Sequence, residues 1–343
     1  MRTKTAIIIT AFLTLALSAR AQAPAQRGSE AVVAGKRDPA FWPFASTSPW
    51  NMPIGDGAKF AEVDSPGYSV KAGAGIVTTE WSHPIWIASP SDPMRKIYDK
   101  NTGRVFAEIR IPANARPDPK GDGHFHIIDE THAFVIETYA AKLRPDGDWE
   151  SNNVRKNDLR GEGVYVSGPV RYTGTRAYGG SAIGGLIRKG ELQNGIPHAL
   201  AVAVPRPAMN QNTPSGPGKP CVWPASTADN GWQITYGKIG NIHMGTLQAI
   251  AGSVDVSKLG LSPGGLVLAR AMQDYGVYIT EANCPTCKIT FYAEPTADAE
   301  VTAAVRADLS KLIQHLKIVT NNTSETRGGG GKPRRALAPP PDR

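Results

Sequence analysis

Histidine is scarce in this chain, seven in 343 residues. Three of the seven fall within nine positions: His124, His126 and His132. Side chains alternate faces along a strand, so His124 and His126 point to one side. Two imidazoles so placed can share a metal ion or flank a ligand. A divalent site would draw a further ligand from His132, His198 or Glu137. The competing reading is a set of histidines hydrogen-bonded at a sheet face, so no metal ligand is assigned here and the cofactor stays unknown. His198 follows Gly195, Ile196 and Pro197 and precedes the apolar run 200–204. At such a strand edge an imidazole can serve as general base near neutral pH. Asp129 opens the short connection 129–131, where an Asx-turn is the structural alternative to catalysis. Asp129, Glu137, Asp274 and Glu281 form the pool for a glycosidase, which needs two carboxylates about 5–9.5 Å apart. A lyase would instead use a base such as His198 or Tyr275 and a uronate-neutralising cation such as Arg110 or Arg155. Seven tryptophans offer flat faces for sugars or ordinary core packing.

The elements that must position these groups read mostly as strands. Residues 85–88, 105–111, 124–128, 132–139, 199–204, 232–236, 245–250, 277–280 and 289–292 are rich in β-branched and aromatic side chains. A weaker run covers 69–71. The three residues between 124–128 and 132–139 suit a hairpin. Two longer helices are predicted. One covers 262–276, with Ser262 as N-cap, Pro263 as first residue and Gly276 at its end. The other spans about 297–316, and a short turn of helix is expected near 183–186. Many strands joined by Gly/Pro turns predict a mainly β domain, an antiparallel β-sandwich or jelly roll with a few peripheral helices. No Rossmann alternation, phosphate loop or Gly-x-Ser-x-Gly elbow appears.

The ends differ from the body. Arg2 and Lys4, the apolar run 6–17 and the alanines at 19, 21 and 23 read as a signal peptide over 1–23. That run is shorter than the ~20 residues of a membrane span. Residues 24–40 read as flexible, 41–320 as one β-rich domain and 321–343 as a disordered Gly/Pro/basic tail. The chain carries +8, but residues 24–326 carry only +1, the rest lying in the two ends. The body is therefore not expected to bind nucleic acid, and no membrane span is expected after signal cleavage. Secretion or a periplasmic location follows from the signal. Cys284 and Cys287 are expected to close a local disulfide, leaving Cys221 over.

Several strings occur together: Ser48-Pro49-Trp50-Asn51, His124-Phe125-His126-Ile127-Ile128-Asp129, His198-Ala199-Leu200, Val222-Trp223-Pro224, His243-Met244-Gly245-Thr246 and Tyr275-Gly276. In this order, across about residues 41–295, they resemble a family of secreted bacterial and fungal proteins of largely unknown function with carbohydrate-related contexts. The resemblance implies signature positions at Asn51, Asp129, His198 and Gly245. It also implies an aspartate where this chain has Glu281. Taken together, His126, His198, Asp129 and Glu281 are the candidate catalytic residues, and Trp50, Asn51, His124 and Tyr275 the candidate substrate-binding residues. The expected function is a carbohydrate-active enzyme cleaving an extracellular polysaccharide by hydrolysis or elimination, with a polysaccharide or oligosaccharide as partner. The alternative is a non-catalytic glycan-binding or envelope structural protein.

Overall fold

The computed structural model describes residues 35–68, 73–168, 172–214 and 218–342, with the backbone of Val32–Val33. The proposed signal peptide, most of segment 24–40 and the strand expected at 69–71 lie outside the described residues.

Leu200–Pro205 is buried at all six positions, and it sets the architecture. A strand with no solvent-facing side belongs inside a sheet covered on both faces. It is the third-last strand of a seven-stranded sheet ordered Phe60–Ala61, Leu316–Val319, Leu247–Ile250, Val277–Asn283, Leu200–Pro205, Ile289–Tyr292, Ala74–Val77. Leu200–Pro205 runs parallel to Val277–Asn283 and antiparallel to Ile289–Tyr292, which is parallel to Ala74–Val77. The helices Pro263–Asp274 and Ala303–Leu312 pack on this sheet and on each other. Ser262 caps the first through Gly265 N–H, and Thr302 caps the second through Val305 N–H. Their inward residues Leu268, Met272, Leu309 and Leu312 join the larger core.

Two four-stranded sheets and the two-stranded pair of Val32–Val33 with Lys36–Arg37 make up the remaining sheets among the described residues. One four-stranded sheet is ordered Asn153–Asp158, Phe134–Tyr139, Phe125–Ile128, Ile85–Ile87; the other Lys142–Leu143, Trp149–Ser151, Met94–Asp99, Arg104–Arg110. A smaller core holds residues of both, among them Phe125, Ile127 and Ile136 from the first and Ile97, Ile109 and Trp149 from the second. The rings of Phe125 and Trp149 stack with centroids 4.3 Å apart.

The sandwich or jelly-roll expectation is therefore corrected. The fold is mixed α/β with open sheets and substantial helices, and parallel pairings occur in all three of the larger sheets. Parallel neighbours need long crossovers; between 205 and 277 the crossover includes the helix Pro263–Asp274. Two local expectations also change. Trp232–Thr235 is a single helical turn rather than a strand, and 183–186 is a turn without helix. The hairpin is present, with His126 opposite Glu137. Cys284 and Cys287 form a disulfide. Among the described residues no helix is long and apolar enough to cross a membrane.

The Gly/Pro/basic tail, read from composition as disordered, is laid along the body. Gly328, Gly329, Gly330 and Gly331 all have φ between 65° and 86°, a region that side-chain-bearing residues avoid. Their backbone bonds Gly55 and Gly57, and a Cβ on Gly328 would fall 2.3 Å from the Pro53 carbonyl oxygen. The glycines thus serve close backbone approach, a use that composition cannot distinguish from disorder. Farther on, Arg37 is fully buried. Its guanidinium donates to the carbonyls of Trp42 and Phe44, and its Nε to Pro339 O at 2.6 Å. Burial holds this guanidinium down at about 10. Arg37→Met would remove the donor of the Trp42 carbonyl and leave the Phe44 and Pro339 carbonyls only their longer bonds from Asn51 Nδ2 at 3.4 Å and Ser46 Oγ at 3.2 Å. Trypsin is expected to cut after Arg334 or Arg335 about tenfold faster in that variant, because cleavage follows local opening. Equal cutting rates would show that Arg37 does not hold the tail.

Candidate active site

The alternation of the strand Phe125–Ile128 decides where its histidine goes. Phe125 and Ile127 enter the smaller core, while Ile128 enters the larger one. His126 shares the face of Ile128 and so sits at the junction of the two cores. Ile85–Ile87 pairs in parallel with this strand, with Ile85 opposite His126, and His126 N–H donates to Pro84 O at 3.1 Å. That pairing brings His83 against the other two histidines. The centroids of His83 and His124 lie 4.1 Å apart, and His83 and His126 stack at 5.3 Å. All three are buried, and one nitrogen from each lies within 4.8 Å of the others.

The hydrogen bonds fix most of the ring nitrogens. His124 Nδ1 faces Thr138 O at 3.1 Å, so it carries the proton and leaves Nε2 as a lone pair. Arg176 Nη1 donates to His83 Nε2, which places the His83 proton on Nδ1, 3.0 Å from His126 Nε2. His126 Nδ1 is buried without a partner. Burial holds all three rings far below the ordinary imidazole range, with the neighbouring histidines and Arg176 adding to it at His83 and His126. His124 is lowered to about 3 by burial and Arg176. The three imidazoles are neutral at physiological pH.

Arg176 reaches the histidines from the glycine-rich loop 173–181, which Glu137 anchors. The Glu137 carboxylate accepts Asn157 Nδ2 at 2.9 Å, Thr175 N–H at 3.2 Å, Ala182 N–H at 2.8 Å and the Ser181 hydroxyl. Arg176 Nε lies 3.1 Å from Glu281 Oε2. Nη2 donates to Thr280 Oγ1 at 3.1 Å, and the guanidinium lies 3.9 Å over the Tyr292 ring. Burial opposes its charge, but Tyr292 and Glu281 hold it firmly cationic. Glu281 is hydrogen-bonded to Asp229, which also accepts the Tyr236 hydroxyl. Burial raises both carboxyls; at Glu281 Arg176 opposes the rise and Asp229 adds to it. The pair therefore holds a proton more tightly than two isolated carboxyls would. Tyr139, part-exposed, lies edge-on to His124 at 5.7 Å. Asp122 Oδ2 is 4.0 Å from His124 Nε2.

Of the eight residues singled out from sequence, the structure brings His124, His126 and Glu281 into one neighbourhood. His198 is elsewhere, its Nε2 3.0 Å from Glu191 Oε1 and its Nδ1 donating to Ala199 O. Burial opposes its charge, but Glu191 holds its pKa above the ordinary value. Tyr275 lines a cleft of about 770 Å³ together with Phe41, Trp42, Trp86, Arg270 and Arg335. Trp50 is enclosed in the larger core. Asn51 accepts Trp42 Nε1 at 2.8 Å and donates to the Pro43 and Ala45 carbonyls, holding turn 42–45. Asp129 accepts Ala133 and Phe134 N–H, both at 2.7 Å, and caps its own turn. Of the alternative cations, Arg110 pairs with Glu130 at 3.5 Å and Arg155 lies over Tyr172 at 5.9 Å. His132 faces Asp38 at 2.8 Å rather than the other histidines. The residues missed from sequence are His83, Arg176, Asp229 and Tyr139. The single signal for His83 was its place just before Pro84 and the strand-like run 85–88. No protein-family model, curated protein or solved structure matches this chain.

Proposed function

We propose that this chain is a carbohydrate-active enzyme acting outside the cytoplasm, cleaving an acidic polysaccharide by elimination at the site of Glu281, Asp229, Tyr139 and Arg176. The observation that carries the reading is the convergence of a carboxyl pair, a part-exposed phenol and a buried cation beside three buried imidazoles. Proton transfer near neutrality needs groups whose pKa lies near the working pH, and the Glu281–Asp229 pair supplies one. Hydrolysis by two separate acids fits less well. Hydrogen-bonded carboxyls are closer than the about 5 Å that a nucleophile and its acid partner require. Glu137 is enclosed by its four donors, and Asp274 is engaged by Arg335 at 2.7 Å.

In the step itself, the ionised carboxyl of the pair takes the proton on the carbon next to a uronate carboxylate. The C–H electrons form a C=C bond as the neighbouring C–O bond breaks. The leaving oxygen takes the Tyr139 proton, and solvent restores the phenol. No water is added across the cleaved bond. The signal-like N-terminus and the disulfide suit an oxidising compartment.

The test is a screen of acidic polysaccharides for both new reducing ends and unsaturated-uronate absorbance. Both signals rising together is the expected result. Reducing ends without absorbance would replace elimination by hydrolysis, and neither signal would remove the enzyme reading. The glycan-binding alternative keeps one supporting feature, the aromatic rim of the 770 Å³ cleft at Phe41, Trp42 and Trp86. Retention on a polysaccharide column without cleavage would favour it.

A further inference from the structure

Elimination at a uronate requires positive charge facing the substrate carboxylate, and here the cations near the site are committed. Arg176 is buried, paired with Glu281 and stacked on Tyr292. The three imidazoles beside it are neutral. We infer that His83, His124 and His126 hold a divalent transition-metal ion, zinc being the reference case, which supplies that charge. The inference rests on the functional reading above for the ion's role, but the site itself stands on geometry.

The donor set fits. Neutral imidazole is the ligand form of histidine, and three histidines with an open fourth position is an established catalytic zinc arrangement. The three ligand nitrogens already lie within 4.8 Å of one another. A tetrahedral ion with bonds of about 2.0–2.1 Å needs them at about 3.3 Å, a rearrangement within side-chain reach. The Thr138 carbonyl takes the Nδ1 proton of His124 and turns its Nε2 lone pair outward, as partners of metal-bound histidines do. His126 Nδ1, buried with no hydrogen bond, is an orphan in the metal-free arrangement. One contact must give way. Arg176 Nη1 now donates to His83 Nε2, which keeps the proton on Nδ1. Ligation through Nδ1 moves that proton to Nε2 and turns Nη1 aside, with Arg176 retained by Glu281 and Thr280.

The experiment uses the whole chain, stripped with a chelator, incubated with zinc and desalted, with bound metal counted by mass spectrometry. One zinc per chain is expected. His83→Ala, His124→Ala and His126→Ala should each weaken binding about 100-fold or more, beyond the loss seen on removing groups behind a ligand. His132→Ala and His198→Ala should bind as the parent does. Should the site variants fail to fold, cobalt in the parent chain decides. Intense visible bands of a four-coordinate ion support the site, and their absence, or a zinc count below one half, overturns it. Cleavage measured on stripped and reloaded chain separates the two readings. Zinc bound without cleavage of any polysaccharide leaves the ion site and removes the enzyme. Cleavage by the stripped chain at full rate removes the ion's catalytic role, and cleavage with no zinc bound removes the site alone.

Discussion

Glu137→Ala is expected to cost about 3–5 kcal/mol of stability, the range seen when a buried polar network loses its acceptor. Four donors converge on this carboxylate, from Asn157, Thr175, Ser181 and Ala182. Alanine would leave them in a water-free pocket. Urea unfolding reads the loss as a lower midpoint, and amide exchange should accelerate at Thr175 and Ala182. An effect under about 1 kcal/mol would mean that water replaces the carboxylate. Glu137→Gln isolates the charge. Burial pushes the Glu137 carboxyl up to about 7 from its ordinary 4.5, against the pull of its four donors. The folded state therefore holds this proton more tightly than the unfolded one. The resulting stabilisation is complete below pH 4.5 and is lost as pH rises through about 7. That rise corresponds to about 3 kcal/mol. The glutamine variant should accordingly gain on the parent by about that much between pH 4 and pH 8. A constant difference across that window would mean that the carboxyl titrates normally.

Glu281→Gln is expected to lower polysaccharide cleavage about 10²–10⁴-fold, the usual weight of a general acid–base group. Glutamine preserves shape and the Ala177 contact at 3.4 Å, so the melting temperature should change little. It cannot share a proton with Asp229. Glu281→Asp restores the carboxyl with a shorter reach and should recover part of the rate. A glutamine variant cleaving within a factor of two of the parent would place the base elsewhere. Because the change falls on the chemical step, KM should move less than kcat.

Three residues of this site, His124, His126 and Glu281, are legible in the sequence, and four are not. The two-residue period puts His124 and His126 on one face, and the string resemblance drew attention to Glu281. His83 was not legible, because it arrives through the parallel pairing of Ile85–Ile87 with Phe125–Ile128, a contact between segments about forty residues apart that no local pattern encodes. Arg176 sits in a loop whose course depends on a carboxylate in another strand. Asp129, Asn51 and Trp50 stand in the recurring strings, yet their chemistry is used on turns and packing. The fold class failed at one discernible place. The segment 200–204 is apolar without alternation, which is the mark of a strand covered on both sides. The number of strands and turns alone does not separate such a strand from those of a sandwich.

Arg37 and the carbonyl of Pro339 are 302 residues apart in sequence, so the donor is synthesised long before this acceptor. Contacts of this span form late and close a very large loop. While the chain is still being made, the guanidinium has no native place for its Nε proton. A product ending a few residues short of Pro339 keeps nearly all of its apolar interior yet lacks one of the three carbonyls around that cation. Termination or nicking just before Pro339 would thus be felt 302 residues away in sequence, at Arg37 beside the turn that carries Trp42 and Phe44.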